Sequence, residues 1–475
     1  MTLYNISIFG LLALILSVTL KHRGRKWVLL VGSVLAIYWL QPALPIRNLD
    51  FWLPTATIFL TVLIYFLTGA SVSDFTRENR QSALVLAGTI LAIGLTRYIA
   101  PICCLTATLP PQLPTIFISI VILALLVSLV QRISKGGKTT NNIAFAAIIV
   151  VFIVLKNEEL ARIFAIWLRS STGQSLDLAL ANDIQWLGFS YVAFRLLHTI
   201  RDHMSGRLPA LSLSEFVTFV IFFPAFTAGP IDKVQRFLGN LRKEYSLSAE
   251  YIQDAGTRLV VGIFKKFVVA DTLALIALNP QNAEQANSSF WTWILLIAYS
   301  LRIYFDFSGY TDIAIGLAKL LGINLPENFN RPYLQSNLTA FWNSWHMTLA
   351  QWFRAYFFNP FTRAMRAAKI KFPMPIIILS GQMLTMVLIG LWHGITWNFV
   401  IWGAWHGLGL FFHNRWANFA KSRLLIEDYP IYIQKLSATA GTLTTFLFVS
   451  IGWIWFTLPT PSQSWSVLKL LLRIS

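Results

Sequence analysis

The sequence predicts an all-α, polytopic membrane protein, and three observations carry that expectation: the apolar content, the length of the apolar runs and the placement of basic residues between them. Of 475 residues, 56% are hydrophobic and 12% charged, with a mean hydropathy of +0.61. A soluble domain carries about 25% charged residues, and half that value over so long a chain indicates many membrane spans. A span needs about 20 apolar residues, and candidates begin near residues 3, 27, 51, 82 and 115. Basic residues fall in alternate loops, at 21–26, at Arg77 and Arg80, and at Arg132, Lys135 and Lys138. The loops around 43–50 and 101–114 contain only Arg47. Cytoplasmic loops carry the excess of Lys and Arg, so the N-terminus is expected outside.

The first apolar stretch, about Leu3 to Leu20, has its cationic flank after it, from Lys21 to Lys26. A cleaved signal has its charges before the apolar stretch, so this segment is read as a retained span. The formal charge is +18, from 38 Lys+Arg against 20 Asp+Glu. A nucleic-acid partner requires basic residues gathered on a solvated face. Here they sit in short clusters between apolar runs, and membrane lipid is the expected surrounding. Cys103 and Cys104 are adjacent, a spacing that rarely bridges, and two thiols alone do not make a structural zinc site. They read as small hydrophobes near a helix end.

Beyond residue 140 the apolar runs, at about 141–155, 183–197, 211–230, 255–280, 290–318, 341–360, 373–392, 395–413 and 438–458, are interrupted more often. Breaks fall at Pro224, at Gly229-Pro230 and at Asn324-Leu-Pro-Glu-Asn328. Non-helical backbone at membrane depth survives only where protein or a water-filled cavity surrounds it. The second half is therefore expected to be a bundle around a polar interior, with re-entrant pieces. Arg354, Arg363, Arg366, Lys369 and Lys371 suggest a cytoplasmic surface element.

Two histidines in Trp-rich apolar segments mark the candidate chemistry, Phe341-Trp-Asn-Ser-Trp-His346 and Gly390-Leu-Trp-His393-Gly394. An intramembrane ionisable side chain is a functional-site hypothesis by default. The stretch Leu338 to Arg354 lacks Gly and Pro and is predicted as one helix. On it Asn343 and His346 share a face, so the Asn343 amide is expected to select the protonated ring nitrogen. A structural histidine bonded to a neighbouring helix is the plainer alternative. Around His393, Gly390 with Gly394 and Gly403 with Gly407 form small-xxx-small faces that let backbones approach. Close packing there is expected to leave His393 in a narrow interior between Trp392 and Trp397. Such a setting favours the neutral imidazole, which can take a hydroxyl proton as a general base. An interfacial Trp belt with an incidental histidine is the alternative.

His406 and His413 read as interfacial, and His198 as structural or channel-lining. Tyr304, Asp306, Ser308 and Asp312 lie beside a long apolar run, where a lone carboxylate must be protonated or paired. Arg302 is the candidate partner. These groups suit either a tunnel wall or bundle glue. Metal chemistry is not expected, because there is no His-Glu-x-x-His pattern and no Cys/His cluster. A Walker loop is absent, as is the Gly-x-Ser-x-Gly of an α/β-hydrolase.

Four blocks, in order, resemble the membrane-bound O-acyltransferase family, in its bacterial branch of D-alanyl teichoic-acid transfer and of alginate and peptidoglycan O-acetylation. They are Phe222-Phe-Pro-Ala-Phe-Thr-Ala-Gly-Pro-Ile-Asp-Lys233; Tyr304-Phe-Asp-Phe-Ser-Gly-Tyr-Thr-Asp312 with Gly322-Ile-Asn-Leu-Pro-Glu-Asn-Phe-Asn-Arg-Pro-Tyr333; Phe341 through Leu349; and Gly390-Leu-Trp-His-Gly394 with Trp397-Asn398. The tract Gly188 to His198 is nearer the D-alanyl-transfer proteins. About two spans precede the usual core, so residues 1–110 are covered poorly and residues 111–475 are taken as the core.

The resemblance implies a bundle of about 11–14 transmembrane or re-entrant helices around a central tunnel, in the bacterial cytoplasmic membrane. It gives His393 the central catalytic role and His346 the second. Asn343, Asn398, Tyr304, Asp306, Ser308, Asp312, Trp392 and Trp397 are then expected to line the route or orient the rings. It further implies no bound cofactor, and an acyl donor that is acetyl-CoA or an acyl-carrier-protein thioester. The implied acceptor is a polysaccharide or teichoic acid, and the resemblance also implies an extracytoplasmic esterase-like partner that completes the transfer. A transporter or lipid flippase also uses broken helices and buried polar residues, but here two Trp-His blocks stand where paired charges along a path would be expected, with no visible inverted repeat.

Overall fold

The computed structural model describes residues 2–19, 22–68, 76–99, 105–134, 137–244, 248–423 and 429–474, and among these the regular structure is entirely helical. Cys103 and Cys104 lie outside the described residues. The chain forms two compact units, residues 1–257 with 314–325, and residues 258–313 with 326–475.

In the first unit, α1 (Leu3–Thr19), α2 (His22–Leu40), α3 (Leu49–Leu67), α4 (Arg77–Leu95) and α5 (Leu113–Ser134) begin close to the five expected starts. They are followed by α6 (Lys138–Lys156), α7 (Glu158–Ser171), α8 (Phe189–Met204), α9 (Leu213–Ile221), α10 (Val234–Arg242) and α11 (Ala249–Ile263), the last of which runs on into the second unit. The run expected near 211–230 is a nine-residue helix that stops before Pro224. A helix end leaves carbonyls without intrahelical partners. Buried Arg195 meets that demand, donating from Nη1 to Val220 O at 2.7 Å and from Nη2 to Ala225 O at 2.6 Å. At the far end of α14 (Ser289–Leu320), Gly322 adopts φ 76° and closes the helix, with Ile323 N–H bonding Ala318 O at 2.9 Å and Gly322 N–H bonding Lys319 O at 2.8 Å. This is the left-handed C-terminal turn that glycine permits.

The second unit contains α12 (Asp271–Ala274), α13 (Pro280–Gln285) and the start of α14, then α15 (Leu338–Trp342), α16 (Met347–Phe353), α17 (Asn359–Ala367), α18 (Met374–His393), α19 (Trp397–Arg423), α20 (Ile431–Thr457) and α21 (Pro461–Leu472). Among the described residues, five helices are long and apolar enough to cross a membrane: Leu49–Leu67, Leu113–Arg132, Lys138–Lys156, Met374–His393 and Ile431–Thr457. Two π-helical stretches, Phe264–Ala270 and Arg354–Phe358, extend α11 and α16.

The pair α18–α19 packs backbone on backbone. A Cβ on Gly390 would lie 2.2 Å from Phe399 O, one on Gly403 would lie 2.5 Å from Met386 O, and one on Gly407 would lie 2.9 Å from Met383 Cα. Gly394 instead faces the Phe399 ring. Substituting Gly403 with Val therefore forces the two backbones apart. A loss of about 1–3 kcal/mol is expected, read as a lower melting temperature in detergent. Gly239 in α10 has open space around it, so Gly239→Ala should raise stability by about 0.5–1 kcal/mol.

Candidate active site

Both Trp-His segments lie in the second unit. The helix expected over 338–354 is interrupted: α15 ends at Trp342, and His346 sits at φ 41°, ψ 52° before α16 begins. A left-handed conformation at a non-glycine residue costs about 1–2 kcal/mol. The interruption has a tertiary cause, because residues 328–330 supply backbone bonds that a continuous helix would make internally. Asn330 N–H donates to Ser344 O and Met347 N–H to Asn328 O, each at 2.9 Å. The side chain of Asn328 adds three more contacts through Oδ1, to Thr348 Oγ1 at 2.7 Å, Thr348 N at 3.2 Å and His346 Nδ1 at 3.1 Å. Asn328 and His346 are both buried, and Nε2 of His346 has no hydrogen-bond partner.

Aromatic rings enclose the imidazole. Phe307 stands edge-on to it at 4.7 Å between centroids, and Trp392 does so at 6.0 Å. The Trp392 ring also contacts His393, at 4.5 Å. His393 closes α18, half-buried against Phe456 at 4.7 Å and against Phe399 and Trp402 at 5.8 Å each. One indole thus touches both imidazoles. A cavity of about 220 Å³ lies between α15, α16, α18 and α19, lined by Trp342, Ala350, Arg354, Gln382, Met386 and Ile389 among others. Trp342 of the first Trp-His segment lines this cavity, while His346 and His393 themselves are not among its lining residues.

Comparison with known proteins identifies the family. The family model described as MBOAT, membrane-bound O-acyltransferase family, matches residues 139–429, more than half of the chain. The chain belongs to that family. It is similar to a teichoic acid D-alanyltransferase of Streptococcus thermophilus, 29% identical over 58% of this chain and 68% of that protein. It is also similar to a probable alginate O-acetylase of Azotobacter vinelandii, 33% identical over 59% of this chain and 52% of that protein. A peptidoglycan O-acetyltransferase of Helicobacter pylori is 31% identical over 57% of this chain and 51% of that protein. The aligned region thus spans about half the length of the two O-acetylating relatives. By family this is an O-acyltransferase of the membrane.

Several residues expected at the candidate site stand elsewhere. Asn343 does not reach His346; its Oδ1 accepts from Arg354 Nη2 at 2.6 Å, because the break at 343–346 removes the helical spacing. Trp397 is 74% exposed and does not flank His393; Phe399, Trp402 and Phe456 do. Asn398 donates to Leu458 O at 2.6 Å and Ser464 Oγ at 3.1 Å, tying α19 to the α20–α21 connection. His406 is fully buried among Trp342, Trp402, Phe448 and Trp453, not interfacial. His413 does reach a polar partner, Thr339 Oγ1, at 3.0 Å. His198 is buried in α8 of the first unit, edge-on to Phe219.

The carboxylates of α14 are paired, though not with Arg302. Asp306 pairs with Lys266. Asp312 accepts from Lys265 Nζ at 2.7 Å and Arg258 Nε at 3.0 Å, and Arg258 also grips Glu327, the neighbour of Asn328. The lysines come from the π-helical stretch, which lies close to α14 because Gly262 and Gly309 face one another; a Cβ on either would be within 2.8 Å of the other's carbonyl oxygen. Tyr304 packs with Phe329, Tyr333 and Trp345. Ser308 is buried with no partner for its hydroxyl. The residues missed from sequence are Asn328, Phe307, Phe399, Trp402, Phe456 and the cations Arg258, Lys265 and Lys266. Only Asn328 left a signal, as a polar residue within an unexplained break.

The left-handed turn gives a test that does not depend on activity. Asn tolerates this conformation and a β-branched side chain does not. His346→Asn is expected to melt above His346→Val, by about 1–2 kcal/mol in detergent unfolding, although Val suits an apolar interior better.

Proposed function

We propose that this acyltransferase moves an acyl group, acetyl or D-alanyl, from a cytoplasmic thioester to hydroxyls of a cell-envelope or exported polysaccharide. The donor in this reading is acetyl-CoA or an acyl-carrier-protein thioester, with no bound cofactor. The acceptor is a polysaccharide or teichoic acid on the outer side of a bacterial cytoplasmic membrane, which the chain crosses several times. An extracytoplasmic esterase-like protein is the proposed partner where the acceptor lies beyond the membrane surface. The names of the relatives support acyl transfer to such polymers.

The single observation that carries the reading is the contact of the Trp392 ring with both His346 and His393. Two imidazoles in one aromatic enclosure suit a reaction in which a proton must leave one heteroatom and reach another. As the acceptor oxygen bonds to the thioester carbonyl carbon, its proton passes to the neutral His393 imidazole. The tetrahedral centre then collapses, the C–S bond breaks, and the departing sulfur takes a proton from the imidazolium. The ester forms, the thiol is released and His393 returns to its neutral state. His346 would relay the proton or assist the second half of the exchange. Aromatic walls exclude water, which would otherwise compete as the acceptor.

His393→Ala, purified and verified as folded, is expected to lose about 10²–10⁴-fold in transfer rate, the usual contribution of a positioned base. The measurement is transfer of labelled acyl from acetyl-CoA and from a loaded carrier protein, alongside ester content of surface polymer in cells. Unchanged ester content would defeat the assignment.

A further inference from the structure

We infer that Asn328 is a positioning residue that fixes His346 in the tautomer protonated on Nδ1, leaving a lone pair on Nε2. The inference rests on the proposed function for its consequence in catalysis, but the tautomer itself follows from hydrogen-bond bookkeeping.

Asn328 Oδ1 faces three groups: Thr348 Oγ1, the Thr348 backbone nitrogen and His346 Nδ1. The backbone nitrogen decides the orientation of the amide. It belongs to the first turn of α16, where N–H groups have no intrahelical acceptor, and it can only donate. The atom it meets must therefore be the oxygen of the amide and not its nitrogen. The main-chain carbonyl of the same residue serves Met347 N–H in the same turn, so Asn328 caps α16 from outside the helix with both of its carbonyl groups. An oxygen accepts and never donates, so the ring nitrogen 3.1 Å away from it must carry the proton.

A neutral imidazole holds one N–H, so Nε2 is left bare. That atom is buried and has no hydrogen-bond partner, and the rings about the imidazole, Phe307 and Trp392, are aromatic. A second ring nitrogen whose role is set by the bond the first one makes is the usual way a protein specifies a histidine's function. Here the setting ties tautomer to fold, because the same oxygen holds the turn in which His346 lies. Glu327, gripped by Arg258, and Asn330, donating to Ser344 O, hold the segment on either side of Asn328. His346 is thereby prepared to accept a proton through Nε2, and not to donate one, before either substrate arrives.

The test is ¹⁵N solid-state NMR of histidine-labelled protein in bilayers, with the His346 signals assigned by their loss in His346→Gln. The expected spectrum shows a pyrrole-type Nδ1 and a pyridine-type Nε2 for His346. In Asn328→Ala that preference should be lost. In Asn328→Asp, which keeps an acceptor oxygen, and in Thr348→Val, which keeps the backbone donor, it should persist. A parent spectrum with the proton on Nε2, or an Asn328→Ala spectrum identical to the parent, overturns the inference. The parent measurement stands even where a variant fails to fold. In transfer assays Asn328→Ala should lower kcat roughly 10–100-fold, the scale of a displaced catalytic group, with KM changed little and with partial rescue in Asn328→Asp. A shifted tautomer with an undiminished rate would instead remove His346 from the reaction and leave the tautomer assignment intact.

Discussion

One amide oxygen, Asn328 Oδ1, holds together the part of the fold on which the proposed chemistry depends. The chain breaks its helix between Trp342 and Met347 and places His346 in a left-handed conformation. A break in an apolar bundle exposes backbone groups, and each one left unsatisfied costs about 1–3 kcal/mol. The turn survives because residues 328–330 return the lost bonds from outside the helix. Tertiary bonding replaces helical bonding, and the residue at the bend acquires an orientation that a straight helix would not give it.

The second histidine is placed by a different means. His393 ends a helix whose neighbour, α19, approaches closely because glycines stand at the crossing. Close approach brings Phe399 and Trp402 of α19 onto the imidazole, and Phe456 of α20 joins them. Backbone contact positions His393 and polar contact positions His346. Trp392, one residue before His393 on α18, touches both rings. The charge pairs around α14 support this arrangement from one side. Lys265 and Arg258 meet Asp312, and Arg258 continues to Glu327, next to the bracing amide. Those carboxylates are ion-paired in this structure, with cations other than the Arg302 that the sequence offered.

Composition and run length revealed the helical, membrane-bound class, and the first five helices begin near the residues that apolar spacing marks. The glycine spacing around His393 was legible for a physical reason: small residues four apart leave few uses other than close packing. The environment of His346 was not legible. Local propensity over Leu338 to Arg354 favours a continuous helix, and nothing in that stretch signals a break. The cause lies 18 residues away at Asn328, and long-range hydrogen bonds leave no local periodicity. Asn343 was misplaced by the same error, since its assigned role assumed an intact helical turn. Trp397 and His406 exchanged expected settings, the indole exposed and the imidazole buried. Their neighbours in sequence are equally apolar, so hydropathy could not distinguish lipid from protein as the surrounding medium.

A double-mutant cycle between Asn328 and His346 in the acyl-transfer rate shows whether the amide acts through the imidazole. Residues that act through one another are not additive, and contacting pairs couple by about 0.5–3 kcal/mol. Once the imidazole has been replaced by glutamine, removing the amide should cost little further transfer, with a coupling above about 1 kcal/mol. Independent, additive losses would contradict that coupling, because the amide would then contribute to the reaction by some route other than the histidine it contacts.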